Sequence, residues 1–167
     1  NLLKLIRISL WGPDGLTFTS KPDWNKVLLL ARQQTVLGLV AEAIPYLPEE
    51  YRPDQEIAAR LHAIALNICL SHSLLNRKLA ELKSRLDAAG VNSVLFKGQG
   101  VAINYPNPQS RQCGDIDMYV GERNFKYVFD TFNTSSDKHA SDYKNMKHFN
   151  LEEDGVLIEI HRIAEII

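Results

Sequence analysis

Cysteine is scarce in this chain. Cys69 and Cys113 are the only two in 167 residues, and they form no zinc-binding spacing. A disulfide framework and a structural zinc site are thereby excluded, and free intracellular thiols are expected, which points to a cytoplasmic protein. Charge of one sign is lacking as well. A formal net charge of -1 and a pI near 6.6 leave no broad basic face for coating nucleic acid, although a local basic groove is still allowed. No apolar run approaches the ~20 residues of a membrane span, so no membrane partner is expected. The apolar start, Asn1 to Leu10, carries Lys4 and Arg7 and has no small-residue cleavage site. It reads as a core helix rather than a signal peptide. An initiator Met is missing, and the chain stops in the apolar run Ile163-Ala164-Glu165-Ile166-Ile167. Both ends are expected to be cut from a longer protein.

What is present is a globular composition, 45% hydrophobic and 23% charged, in a length that suits one domain plus a helical appendage. The first helix closes at Trp11-Gly12-Pro13-Asp14-Gly15, a cluster of turn residues. Asp23 after Pro22 is an N-cap for a second helix, Trp24 to Ile44, which Pro45 stops. From Asp54, apolar positions recur in steps of three and four at Ile57, Leu61, Ile64, Ile68, Leu75, Leu79, Leu82 and Leu86, until Gly90. That long helix packs on the first two, or pairs with a second copy, since its spacing also fits heptads. His62 and His72 lie on it without ligand-type spacing and read as surface or partly buried histidines.

After Gly90 the texture changes. Val91 to Phe96 is a β-branched and apolar run ending at Lys97-Gly98-Gln99-Gly100, and Val101 to Tyr105 looks helical. A strand headed by Asp115 follows, then a helix over Glu122 to Phe132 with Phe125, Val128, Phe129 and Phe132 on one face. Asn133 to Lys147 has no period and reads as a mobile loop. His148 to Glu153 and Val156 to His161 are expected to form a hairpin around Glu153-Asp154-Gly155.

The chemistry concentrates in this second half. In Gly114-Asp115-Ile116-Asp117-Met118-Tyr119-Val120, strand alternation sets Asp115 and Asp117 on one face while Ile116, Met118 and Val120 enter the core. Two adjacent anions are costly without a shared proton or a bound divalent metal. Glu159, which shares its strand face with His161, interrupts another apolar strand. Each carboxylate alone suits a soluble surface. Together they match a two-metal phosphoryl-transfer centre, which needs oxygen ligands for hard cations. Gly98 and Gly100 let backbone N–H groups approach phosphate oxygens at a helix start, or make a plain tight turn. The segment is neither a P-loop nor a dinucleotide fingerprint, because Gly-Lys-Ser/Thr and the third glycine are both missing. Lys97 and Arg111 flank it and are either phosphate partners or solvated cations. His161 orients a carboxylate, contacts substrate or simply caps its strand.

Lys97-Gly98, Arg111, Gly114-Asp115-Ile116-Asp117 with Tyr119-Val120, and Ile158-Glu159-Ile160-His161 occur in an order that resembles a bacterial nucleotidyltransferase family of the DNA polymerase β superfamily. The helical lead-in from Asp23-Trp24 through Leu28-Leu29 to Gly90 is similar too. The resemblance implies an α+β fold: a small mixed sheet flanked by helices at about 90–167, incomplete at its C-terminus, preceded by a helical region at about 1–89. It implies a triad of Asp115, Asp117 and Glu159 for Mg²⁺ or Mn²⁺, with Lys97, Gly98, Gln99 and Arg111 holding a nucleoside triphosphate such as ATP. The implied reaction is attack by a small-molecule, protein or RNA acceptor on the α-phosphorus, with release of pyrophosphate. Gln99 departs from the Gly-Ser or Gly-Gly turn usual across the wider superfamily. The rival reading is therefore an inactive nucleotide- or partner-binding module on the same fold, and a further one is a helical interaction protein that oligomerises through the long helix.

Overall fold

The computed structural model describes residues 1–15, 17–132, 143 and 145–164. Its elements in chain order are α1 (Leu2–Trp11), α2 (Trp24–Gln33), α3 (Leu37–Ala43), α4 (Gln55–Ala88), β1 (Val94–Phe96), α5 (Gly98–Ala102), β2 (Asp115–Tyr119), α6 (Gly121–Phe132), β3 (His148–Glu153) and β4 (Val156–His161), with short 3₁₀ turns at Ile44–Tyr46, Glu49–Tyr51 and Pro108–Ser110. A helical region followed by a four-stranded mixed sheet with helices makes the fold α+β, as the sequence implied. The chain divides into two units, one of Asn1–Ser73 with Ala102–Cys113 and one of Leu74–Val101 with Gly114–Ile167. The expected loop at Asn133 to Lys147 falls for the most part outside the described residues.

The first unit is built on an apolar cluster of Leu5, Ile8, Trp24, Val27, Ala31, Val40, Ala43, Leu47 and Leu61. Two capping aspartates set its helix starts. Asp23 accepts the backbone N–H of Lys26 at 3.2 Å, and Asp54 accepts that of Ile57 at 2.8 Å. The single helix expected over Trp24 to Ile44 is in fact two. Thr35 takes a left-handed conformation (φ 54°), and the N–H of Val36 turns back to the carbonyl of Ala31. This is the backbone pattern that closes a helix. A new helix starts at once, its first N–H, that of Leu37, donated to the side chain of Gln112 at 2.9 Å. Gly38 admits no side chain, because a Cβ there would lie 1.9 Å from the carbonyl oxygen of Ser110. A cavity of about 480 Å³ opens in this unit, walled by Ala41, Ile44, Pro45, Ala65 and Leu66 among others, and none of the candidate site residues lines it.

The last part of α4 belongs to the second unit, where Leu75, Leu82 and Leu86 are buried. By length and composition alone α4 is apolar enough to cross a membrane. This differs from the expectation of no membrane-length segment: His62, Asn67 and Ser71 interrupt the apolar run without carrying fixed charge. The helix buries Leu61, Leu75, Leu82 and Leu86 in the protein and exposes Leu66 and Leu70.

The sheet runs β1-β2-β4-β3. β2 and β4 are parallel, and β1 and β3 close the edges antiparallel to them. One face is apolar: Ile116, Met118, Ile158, Ile160, Phe149 and Leu151 are buried with Phe125, Val128, Phe129 and Phe132 of α6. The rings of Phe125 and Phe129 meet Phe149 edge-on at 5.4 and 5.1 Å. The β3–β4 hairpin turns through Asp154 and Gly155, both at positive φ (51° and 75°), which is what a two-residue Asp-Gly loop requires. α4 holds this turn by two ion pairs, Lys78 with Asp154 at 2.5 Å and Arg85 with Glu153 at 2.7 Å.

Thr35 is β-branched and exposed, in a conformation that such residues avoid. Thr35→Asn should stabilise the protein by about 0.5–1 kcal/mol, because Asn enters the left-handed region at lower cost. Chemical denaturation checks it, and a loss of stability would mean that the helix break is unstrained.

Candidate active site

The face of the sheet opposite α6 carries the polar residues. Because β2 and β4 are parallel and in register, Asp115 pairs with Leu157, Asp117 with Glu159 and Tyr119 with His161. Asp117 and Glu159 therefore sit side by side on neighbouring central strands, and strand alternation adds Asp115 and His161 to the same face. The antiparallel edge strand β3 sets His148 opposite His161 and Asn150 opposite Glu159.

Asp117 is the centre of this arrangement. It is 3% exposed, which for a carboxylate demands compensation. Its Oδ1 accepts from Lys97 Nζ at 2.9 Å and lies 3.0 Å from His161 Nε2. The same imidazole nitrogen is 3.3 Å from Glu159 Oε2. One ligand atom each from Asp117, Glu159 and His161 lies within 4.8 Å of the others, the spacing of donors around a single metal ion. Asp115 belongs to the same electrostatic cluster. Burial, and then the charges of Asp117 and Glu159, push its carboxyl above the ordinary aspartate range, against the pull of Lys97. Conversely, the hydrogen bond to Asp117, with the charges of all three carboxylates, holds the Lys97 ammonium above the ordinary lysine range.

The loop that delivers Lys97 differs from expectation. The glycine segment is not a turn ahead of a helix over Val101 to Tyr105; it is the helix, α5, beginning at Gly98 and ending at Ala102. The reversal is made by Lys97, at φ 56°, a conformation costly for a residue with a side chain, together with Gly98 at φ 23°. A Cβ on Gly98 would lie 3.3 Å from the backbone oxygen of Asp115, so the glycine lets this loop lie close against β2. Gln99 points inward: it is 4% exposed, and neither atom of its side-chain amide has a hydrogen-bond partner among the described residues. Such a group costs about 1–3 kcal/mol.

The structure therefore brings Asp117, Glu159, His161 and Lys97 into direct contact and Asp115 into their field. Among the described residues it does not extend that contact to the Gln99 amide. Arg111 lies in the first unit, where its guanidinium donates to the backbone oxygen of Gln112 and to Cys113 Sγ. His148 and Asn150 were missed in the sequence. The signal was there, since Phe149 and Leu151 alternate with them along one strand and are buried.

Two expected outcomes follow from this geometry. A carboxyl whose pKa is raised on folding binds its proton more tightly in the native state, so its contribution is full at low pH and is lost as pH rises through the carboxyl range. Asp115→Asn removes that loss. Without divalent ions, thermal melts should show the variant more stable than the parent at pH 7, with the gain fading as pH falls through the raised carboxyl range and gone below the ordinary aspartate pKa. A variant less stable at pH 7 would mean that Asp115 is a satisfied anion. Gln99→Met removes two orphaned polar atoms and should leave stability unchanged or raise it by about 1 kcal/mol. A loss above about 2 kcal/mol in denaturant would show that the amide is paired.

No curated protein and no solved structure matches the chain. A family model described as uncharacterised nucleotidyltransferase matches residues 20–164, which takes in every residue of the cluster. The chain belongs to that nucleotidyltransferase family.

Proposed function

We propose that this protein transfers a nucleoside monophosphate from a nucleoside triphosphate to an acceptor, with a divalent cation held by Asp115, Asp117 and Glu159. The observation that carries the reading is the convergence of Asp117, Glu159 and His161 donor atoms within 4.8 Å on one sheet face. It occurs in a chain of a nucleotidyltransferase family. The residues fit a hard divalent ion: carboxylate oxygens from two adjacent strands, with Asp115 in the same field. Bound there, Mg²⁺ or Mn²⁺ supplies Lewis acidity and charge neutralisation at the reacting phosphate.

The chain's own groups account for the rest. Lys97 neutralises Asp117, and its side chain is 52% exposed, so the ammonium can swing from the carboxylate to a phosphate oxygen. Gly98, with no side chain, lets the Lys97 loop lie close to the head of the Asp115 strand, which sets the lysine beside the carboxylates. Catalysis on this reading comes from positioning and electrostatics rather than from covalent chemistry. Gln99, turned inward, supports this site through the packing of α5. Free thiols at Cys69 and Cys113 and a nucleoside triphosphate donor suit a cytoplasmic setting. The acceptor is a small molecule, protein or RNA.

The rival is a module that binds nucleotide without chemistry. Incubation with α-labelled nucleoside triphosphates and Mg²⁺ or Mn²⁺ separates the two. Release of pyrophosphate with label in a product supports transfer, whereas metal-independent calorimetric binding with no pyrophosphate supports the module. Asp117→Asn should lower incorporation at least about 10²-fold with the folded state retained by circular dichroism. Full activity in that variant would remove Asp117 from the metal site.

A further inference from the structure

We propose that His161 is itself a metal ligand, so that the ion seated between Asp117 and Glu159 has a mixed carboxylate and imidazole shell that favours Mn²⁺ over Mg²⁺. The inference rests on the metal reading above and narrows it to one donor and one class of cation.

The argument is geometric. Neighbouring donors of an octahedral ion with bonds of ~2.1–2.2 Å lie ~3.0–3.1 Å apart. His161 Nε2 stands 3.0 Å from Asp117 Oδ1 and 3.3 Å from Glu159 Oε2. A single imidazole nitrogen thus faces two carboxylates at once. As a hydrogen-bond donor, its one N–H serves only one of them. As a ligand, it shares an ion with both.

The ring is also held for the purpose. Phe96 and His148 flank it at centroid separations of 4.9 and 5.3 Å, and the residue is 8% exposed. Its backbone is fixed in β4 beside Tyr119 and His148. Ligation by Nε2 requires the neutral ring with its proton on Nδ1. Lys97, on the same Asp117 oxygen at 2.9 Å, already shows that this point of the sheet takes a cation. Imidazole donors raise affinity for first-row transition ions far more than for Mg²⁺, which prefers oxygen and water. His161 is therefore the specificity-determining member of the set.

The test uses Mn²⁺ as the probe on the full chain. Pulsed electron paramagnetic resonance of bound Mn²⁺ should show ¹⁴N modulation that becomes a ¹⁵N signal when histidine is ¹⁵N-labelled. It should disappear in His161→Gln and persist in His148→Gln. Isothermal titration should show Mn²⁺ bound about tenfold or more tighter than Mg²⁺, with the gap narrowed in His161→Gln. Mn²⁺ bound without nitrogen modulation, or modulation lost only in His148→Gln, overturns the proposal. If His161→Gln does not fold, the labelled parent and His148→Gln decide the matter. Transfer activity without nitrogen coupling would sink this inference and leave the proposed reaction standing. Nitrogen coupling without pyrophosphate release would do the reverse.

Discussion

The constraint on which the second unit depends is the juxtaposition of Asp117 and Glu159 across a parallel strand pair. Parallel register makes neighbours of residues that both point away from α6. Like charges there repel, and burial of Asp117 sharpens the cost. The sheet can keep them only because cationic or hydrogen-bonding groups converge on the same spot. Lys97 comes from a strained loop, and His161 from the end of β4. On the proposed reading, a divalent ion takes over this compensation.

Much of the remaining architecture serves that juxtaposition. The apolar face of the sheet is closed by α6 through Phe125 and Phe129 against Phe149, which fixes β3 and hence its partner β4. Lys78 and Arg85 of α4 tie down the β3–β4 turn. Glycine at position 98 keeps the Lys97 loop close to Asp115. Each is a device for holding β2, β4 and the lysine in mutual register. The strain at Lys97 and the orphaned amide of Gln99 sit in this same loop, where stability is often given up for function.

The sheet was legible because its signals are local. Alternation along Asp115 to Val120 and Val156 to His161 assigned faces correctly, and the Asp-Gly turn announced the hairpin. The phenylalanine stripe of α6 was equally plain, and all four of its members are buried. What failed depended on distant partners or rare backbone states. Apolar spacing runs unbroken past Thr35, and the group that receives the first N–H of α3 is Gln112, 75 residues on. Glycines read as a turn before a helix proved to begin the helix, because the reversal falls earlier, at Lys97 and Gly98. Of the candidate residues, the acidic set was visible as a pattern. The contact of His161 with two of its members was not, since it depends on the β2–β4 pairing.

The central claim is that these carboxylates form a metal seat. The most direct measurement is a crystal structure grown with Mn²⁺ and a non-hydrolysable nucleoside triphosphate analogue, read by anomalous scattering. The account predicts an ion peak ~2.1–2.2 Å from carboxylate oxygens of Asp117 and Glu159, with Lys97 turned to the phosphates. An ion bound elsewhere, or Lys97 still on Asp117 with nucleotide present and no peak between the strands, would contradict it.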